Sequence, residues 1–232
     1  MKKILIVDDS KVLMKMLQKG FEKYQKEFQP LYAENGLDAM NIMNHESVSL
    51  VVTDIQMPMV DGLVLLAFIR ERYPDIPCII ISSYGTAELK DQVNQDILHF
   101  IDKPFNVDQL AQIIISALNK QETKKSGRIT IYDLLYLVIF GRKTCIFKVI
   151  PEEGPTGYYY FYKGELYNAI FGELKGVEAV LQMLTYENAK VVFTKPPKNE
   201  GRNLVNIDIN KLIHHAKTST LSIDIQKKHN NQ

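Results

Sequence analysis

Through the first half of the chain, unbroken apolar runs alternate with segments of helical spacing. Ile4-Leu5-Ile6-Val7, Val51-Val52-Thr53 and Ile79-Ile80-Ile81 lack polar alternation, and a fourth run reaches Lys103-Pro104, as expected of strands buried on both faces of a parallel sheet. Between them, Val12, Leu13, Met16, Leu17 and Phe21 recur at helical spacing behind Ser10, a capping residue. Gly36 to Met43 carries Leu37, Met40, Ile42 and Met43. Leu63, Leu66, Ala67 and Ile69 mark a third helix, which starts after Asp61-Gly62 and stops before Pro74. Glu88 to Gln95 is a weaker fourth and Val107 to Asn119 a clear fifth. Strands alternating with helices predict a doubly wound parallel α/β sheet with helices on both faces.

The second half has a different rhythm. Gln121 to Gly127 is polar and reads as a linker. Ile131 to Phe140 has helical apolar spacing, and Cys145 to Ile150 reads as a strand. Tyr158 to Tyr162, Lys163-Gly164 and Glu165 to Phe171 predict a hairpin with glycine at its turn. Leu174 to Tyr186 is helical in spacing, Lys190 to Thr194 is a last strand, and Pro196-Pro197 ends it. Asn206 to Ala216 suggests another helix, and the residues after about 219 read as a disordered tail. This is a smaller α+β region. The expected division is 1–122, a linker over 123–127, a second domain over 128–218, and a tail over 219–232.

Charge separates the halves in the same place. Residues 1–122 hold 12 Lys/Arg against 17 Asp/Glu, a net −5, whereas residues 123–232 hold 16 against 10, a net +6. Two domains of opposite sign account for the near-neutral whole. Cys78 and Cys145 are far apart in sequence and fit no metal or redox spacing, which favours buried thiols in a reducing compartment. No apolar run approaches a membrane span, and the N-terminal apolar stretch is too short for a signal peptide. A soluble cytoplasmic protein without membrane insertion is expected.

The candidate chemistry lies at the carboxyl ends of the strands, where ligand sites of such sheets occur. The first apolar run ends in Asp8-Asp9, the second in Asp54, the third in Ser82 and the fourth in Lys103-Pro104. Three carboxylates, a hydroxyl and an ammonium converging there suit a carboxylate that accepts a phosphoryl group. Each residue alone is a weak signal; the pattern lies in the set.

Residues 1 to about 120 resemble the receiver (CheY-like) domain of two-component response regulators. Asp8-Asp9, Asp54 followed by Met57-Pro58 and Asp61-Gly62, Ser82, and Lys103-Pro104-Phe105 carry the resemblance. It implies a flavodoxin-like sheet of five parallel strands in the order 2-1-3-4-5. It also implies Mg²⁺ held directly by Asp9 and Asp54, through water by Asp8, and by the backbone carbonyl of Gln56. Mg²⁺ takes oxygen ligands and keeps several waters, so this set suffices. Asp54 is then the phosphoacceptor, and Lys103 offsets the negative charge of the carboxylates and the incoming phosphate. Ser82 donates to a phosphoryl oxygen and moves, Phe100 turns inward behind it, and the Lys103–Pro104 bond is cis. The implied partners are a sensor histidine kinase or phosphotransfer protein. Asp61-Gly62 is read only as a turn with a helix cap.

Two features depart from the usual receiver pattern. The segment from Gln92 to Phe100 lacks the frequent Gly-Ala pair. Gln56 and Tyr84 flank the phosphate position and bear on how fast water reaches it.

The order of elements from about 126 to 195 resembles the PATAN or DUF4388 domain. Ser126-Gly127-Arg128-Ile129 leading into Leu134-Leu135, and the stretch from Tyr160-Phe161 through Gly164-Glu165-Leu166-Tyr167-Asn168-Ala169, carry that likeness, with Gly176-Val177-Glu178-Ala179 and Val192-Phe193. It implies a non-catalytic domain that contacts a downstream protein, with a phosphorylation-dependent homodimer as a further expectation. A DNA-binding transcriptional regulator is the alternative that the +6 charge raises. Nucleic acid is disfavoured because Lys211 to Thr220, the one basic-leaning helix, lacks a helical partner for a helix-turn-helix. No convergent polar site suggests an effector enzyme. His214 and His215 are adjacent and diverge on a helix, a poor metal pair. Tyr158, Tyr159, Tyr160, Tyr162 and Tyr167 form an aromatic strip, alternate members of which are expected in the core.

Overall fold

A computed structural model describes residues 1–83, 98–121, 128–196, 208–214 and 216. The expected helix Glu88 to Gln95, Tyr84, the linker 123–127 and the tail 219–232 lie outside these residues. By its contacts the chain divides into two units, Met1–Gly141 and Arg142–Gln232.

The first unit runs β1 (Lys3–Val7), α1 (Lys11–Phe21), β2 (Gln29–Ala33), α2 (Gly36–His45), β3 (Val48–Asp54), α3 (Gly62–Arg72), β4 (Cys78–Ser82), β5 (Leu98–Asp102), α4 (Val107–Gln121) and α5 (Ile131–Phe140). The five strands form one sheet, ordered β2-β1-β3-β4-β5, and every pairing is parallel. This is the doubly wound sheet expected from the alternation. The apolar runs are buried on both sides: Ile4, Ile6, Leu50, Val52, Ile79 and Ile81 join Leu17, Phe21, Leu110 and Ile114 of α1 and α4 in one core. Leu5, Val7 and Val51 are equally closed off. Ser10, Asn35 and Asp61 cap α1, α2 and α3, each accepting a backbone N–H with its side chain.

β2 has no counterpart among the apolar runs of the sequence. It is an edge strand whose residues, other than Ala33, are not fully buried. At the edge Pro30 is tolerated and the continuous apolar signature is not required.

The second unit is an antiparallel sheet of β6 (Cys145–Ile150), β7 (Gly157–Tyr162), β8 (Glu165–Phe171), β9 (Leu174–Lys175) and β10 (Lys190–Thr194), with α6 (Gly176–Leu184). Its order is β10-β6-β7-β8-β9. Lys163 and Gly164 both have positive φ, 52° and 83°, as a two-residue hairpin turn of this hand requires. The helix expected from Leu174 is shorter. Leu174 and Lys175 pair with β8, and only after Gly176, at φ 61°, does the chain turn helical. The tyrosine strip alternates as a half-buried strand should: Tyr159 and Phe161 are fully buried, while Tyr158, Tyr160 and Tyr162 are half-buried. Tyr159 donates its hydroxyl to the Val180 carbonyl at 3.3 Å, which ties β7 to α6.

The sequence pattern assigns α5 to the 128–218 region, but the contact division falls after Gly141, so α5 groups with the first unit. Residues 209–214 are helical, with Ile209 and Ile213 buried. Among the described residues no helix is long and apolar enough to cross a membrane.

Phe147 is fully buried at the centre of the second sheet, edge-on to Tyr159 and Phe193 at 5.6 and 4.9 Å. Phe147→Ala should cost about 3–5 kcal/mol of stability. Urea unfolding followed by circular dichroism measures it, and a change within error of zero would contradict this packing.

Candidate functional site

The parallel registers set the carboxyl ends of β1, β3, β4 and β5 side by side. Val7 pairs with Thr53, Asp54 with Ile81 and Ser82 with Asp102. The residues just past these positions therefore share one rim of the sheet. Asp8, Asp9 and Asp54 offer carboxylate oxygens that lie within 4.8 Å of one another. Asp8 is 1% exposed, Asp54 is half-buried and Asp9 faces solvent.

A buried carboxylate needs partners. The Ser10 N–H donates to Asp8 Oδ1 at 2.8 Å, and Lys103 Nζ donates to Asp8 Oδ2 at 2.8 Å. The same ammonium donates to Asp54 Oδ2 at 2.6 Å, and the Gln56 N–H donates to Asp54 Oδ1 at 3.0 Å. Burial opposes the charge on Lys103, but hydrogen bonds to Asp54 and Asp8, with their charges, outweigh it and hold the ammonium above its ordinary pKa. Ser82 is buried beside this group, its carbonyl accepting from the Lys103 N–H at 3.0 Å. Phe100 is half-buried on β5, Gln56 is exposed in the loop after β3, and the Lys103–Pro104 peptide bond is cis.

The structure thus brings together Asp8, Asp9, Asp54 and Lys103, with Ser82 at the end of the neighbouring strand. Hard oxygen donors of this kind fit Mg²⁺ rather than a thiophilic or imidazole-seeking metal. The arrangement is an acidic pocket at the carboxyl end of a doubly wound parallel sheet.

The sequence does not reveal how tightly the following helix is held to this site. A Cβ on Gly62 would collide with the Asp54 carbonyl oxygen and lie 2.8 Å from Ile55 Cα. The Gly62 N–H also donates to the Ile55 carbonyl at 3.1 Å. Gly36 is held similarly, its N–H donating to the Val60 carbonyl at 2.9 Å. The glycines following Asp61 and Asn35 carry this signal in the sequence, where they read simply as turn or helix-start residues.

Residues 4–115 match the response regulator receiver domain family. Among curated relatives, a probable transcriptional regulator, ycf29, of Porphyra purpurea is 31% identical over 146 residues, covering 58% of this chain and 68% of ycf29. A putative NtrX-like response regulator of Rickettsia conorii is 34% identical over 127 residues, covering 53% of this chain and 26% of that protein. The transcriptional regulatory protein GlrR of Escherichia coli is 33% identical over 120 residues, again covering 26% of the relative. The chain therefore spans about a quarter of the NtrX-like and GlrR sequences. The receiver domain of the Francisella response regulator 1452 superposes with a TM-score of 0.47 at 27% identity, over 53% of this chain and all of that one. The chain belongs to the two-component response regulators, with a receiver domain at its N-terminal end.

Removing the ammonium leaves Asp8 buried beside two other carboxylates. Lys103→Met should therefore destabilise the first unit by about 3 kcal/mol, in the range for breaking a buried ion pair. Chemical denaturation without divalent cations measures it. Unchanged stability would show that Lys103 does not hold the cluster.

Proposed function

We propose that this chain is a phosphorylation-controlled switch in which Asp54 accepts a phosphoryl group. The observation that carries the proposal is the single ammonium of Lys103 bonded to both Asp54 and Asp8, with Asp9 completing three carboxylates within 4.8 Å. An Asp54 oxygen attacks phosphorus, and the bond from phosphorus to the donor's leaving atom breaks, its electron pair departing with the donor. The donor is a phosphohistidine on a sensor kinase or phosphotransfer protein, or a small acyl phosphate. Asp9, Asp54 and the Gln56 carbonyl would hold Mg²⁺ directly and Asp8 through water, and the ion would supply positive charge to the transferring phosphoryl oxygens. Lys103 faces the same oxygens. Ser82 donates its hydroxyl to one of them, and Phe100 rotates into the space that Ser82 leaves.

Residues 1–122 are the receiver, 123–127 the linker, and 128–218 a PATAN/DUF4388-like output domain without a catalytic site, which contacts a downstream protein. The tail covers 219–232, and a phosphorylation-dependent homodimer is one form of the activated state. The order of α5, the β7–β8 hairpin, α6 and β10 supports the output reading. The names of ycf29 and GlrR favour a second reading, transcriptional control through DNA. Against it, α5 is buried and α6 carries Glu178 but no basic residue, so neither offers a basic recognition helix.

Acetyl phosphate with Mg²⁺ should add one phosphoryl group to the wild type and none to Asp54→Asn, as read on a phosphate-affinity gel. Asp9→Ala should raise the Mg²⁺ concentration needed at least tenfold, the scale expected when a cation loses a direct carboxylate. Modification of Asp54→Asn to the wild-type level would overturn the assignment.

A further inference from the structure

α3 is buried more completely than a surface helix of a doubly wound sheet needs to be. Gly62, Leu63, Leu65, Leu66, Ala67 and Ile69 are all buried, leaving no broad polar stripe. The helix has a second packing partner in α5. Eight of the ten residues of α5 are buried, from Ile131 to Val138, so it is not a solvated connector. Its start is fixed by a capping box, in which Thr130 and Asp133 each accept the other's backbone N–H. Arg70 near the end of α3 donates Nε–H to the Ile129 carbonyl at 2.9 Å, one residue before that cap. Burial weakens the Arg70 charge, and the nearby carboxylates of Asp133 and Glu71 support it. A half-buried guanidinium held in this way marks a specific seat.

The other end of α3 is pressed against the Asp54 backbone through Gly62. From Gly62 to Arg70 the helix spans only about 12 Å at its regular rise. α5 ends at Phe140, and within a few residues the chain enters β6 at Cys145.

We propose that α3, with α5 seated on it, is the output lever of this switch, and that Arg70 is the positioning residue joining the two. The proposal rests on Asp54 being the phosphoacceptor. A phosphoryl group on one Asp54 oxygen displaces the contact that oxygen now makes, with the Gln56 N–H or the Lys103 ammonium, and removes the carboxylate charge that both groups face. The 55–61 loop readjusts, and α3, which begins at its end, moves with it. The two states of Asp54 then bias the α3–α5 seat differently, as a conformational response to modification requires.

The test is amide hydrogen exchange of the full chain with Mg²⁺, before and after acetyl phosphate, with intact mass read on the same samples. In wild type, exchange across 130–140 should change severalfold on phosphorylation, and in Asp54→Asn it should not. Arg70→Gln should be phosphorylated normally, yet its 130–140 exchange should already be altered without phosphate and should respond less to it. Arg72→Gln, on the exposed side of α3, should behave as wild type. A complete phosphoryl mass shift with unchanged 130–140 exchange would overturn this inference alone. Absence of any mass shift in wild type would overturn the phosphoacceptor reading and this inference with it.

Discussion

One ammonium holds two carboxylates at the end of a parallel sheet, and the rest of the site is organised around that contact. Three carboxylates within 4.8 Å repel one another by roughly 3–4 kcal/mol per pair at an effective dielectric near 20. Lys103 neutralises the inner side of the cluster, where Asp8 is shut off from water, and leaves Asp9 facing solvent. The result is a pocket whose unmet negative charge faces outward, as a hard cation requires. The strand order of the sheet produces it. β3 lies between β1 and β4, with β5 next in line, so the ends bearing Asp8, Asp54, Ser82 and Lys103 converge without any long loop.

Much of this was legible in the sequence, because parallel strands covered on both faces must be continuously apolar and a helix must be capped. Ile4 to Val7, Val51 to Thr53 and Ile79 to Ile81 announced three strands, and the polar residue ending each announced the site. Ser10 announced α1 through its spacing to the first apolar residues. β2 escaped because an edge strand is excused from the apolar rule, and Gln29-Pro30 reads locally as a break. The start of α6 was misplaced because Leu174 fits helical spacing equally well; the positive φ of Gly176 decides against it, and a sequence does not display φ. Close backbone approach was equally hidden. Gly62 reads as a helix-start glycine, and only its position against Asp54 shows that a methyl group there has no room.

The net charges of the two halves, −5 and +6, do not specify how α5 is held. Exposed charges more than about 10 Å apart are largely screened at ordinary salt, so net charge biases encounters without specifying a seat. α5 is held by apolar burial, and a directional bond runs from Arg70 to the Ile129 backbone carbonyl just before it. Such packing is close to all-or-none, because interdigitated side chains tolerate little sliding before contacts are lost.

That stiffness matters for the proposed switch, whose trigger is small. A phosphoryl group would add only a few atoms at Asp54, and a soft connection would absorb the resulting strain within the 55–61 loop. α3 cannot absorb it readily: its first residue touches the Asp54 backbone, its body is buried on more than one side, and its last turn carries Arg70. A displacement at one end of a short, fully packed helix must therefore appear at the other. The same apolar residues that deprive α3 of a polar stripe give it the rigidity that a lever needs.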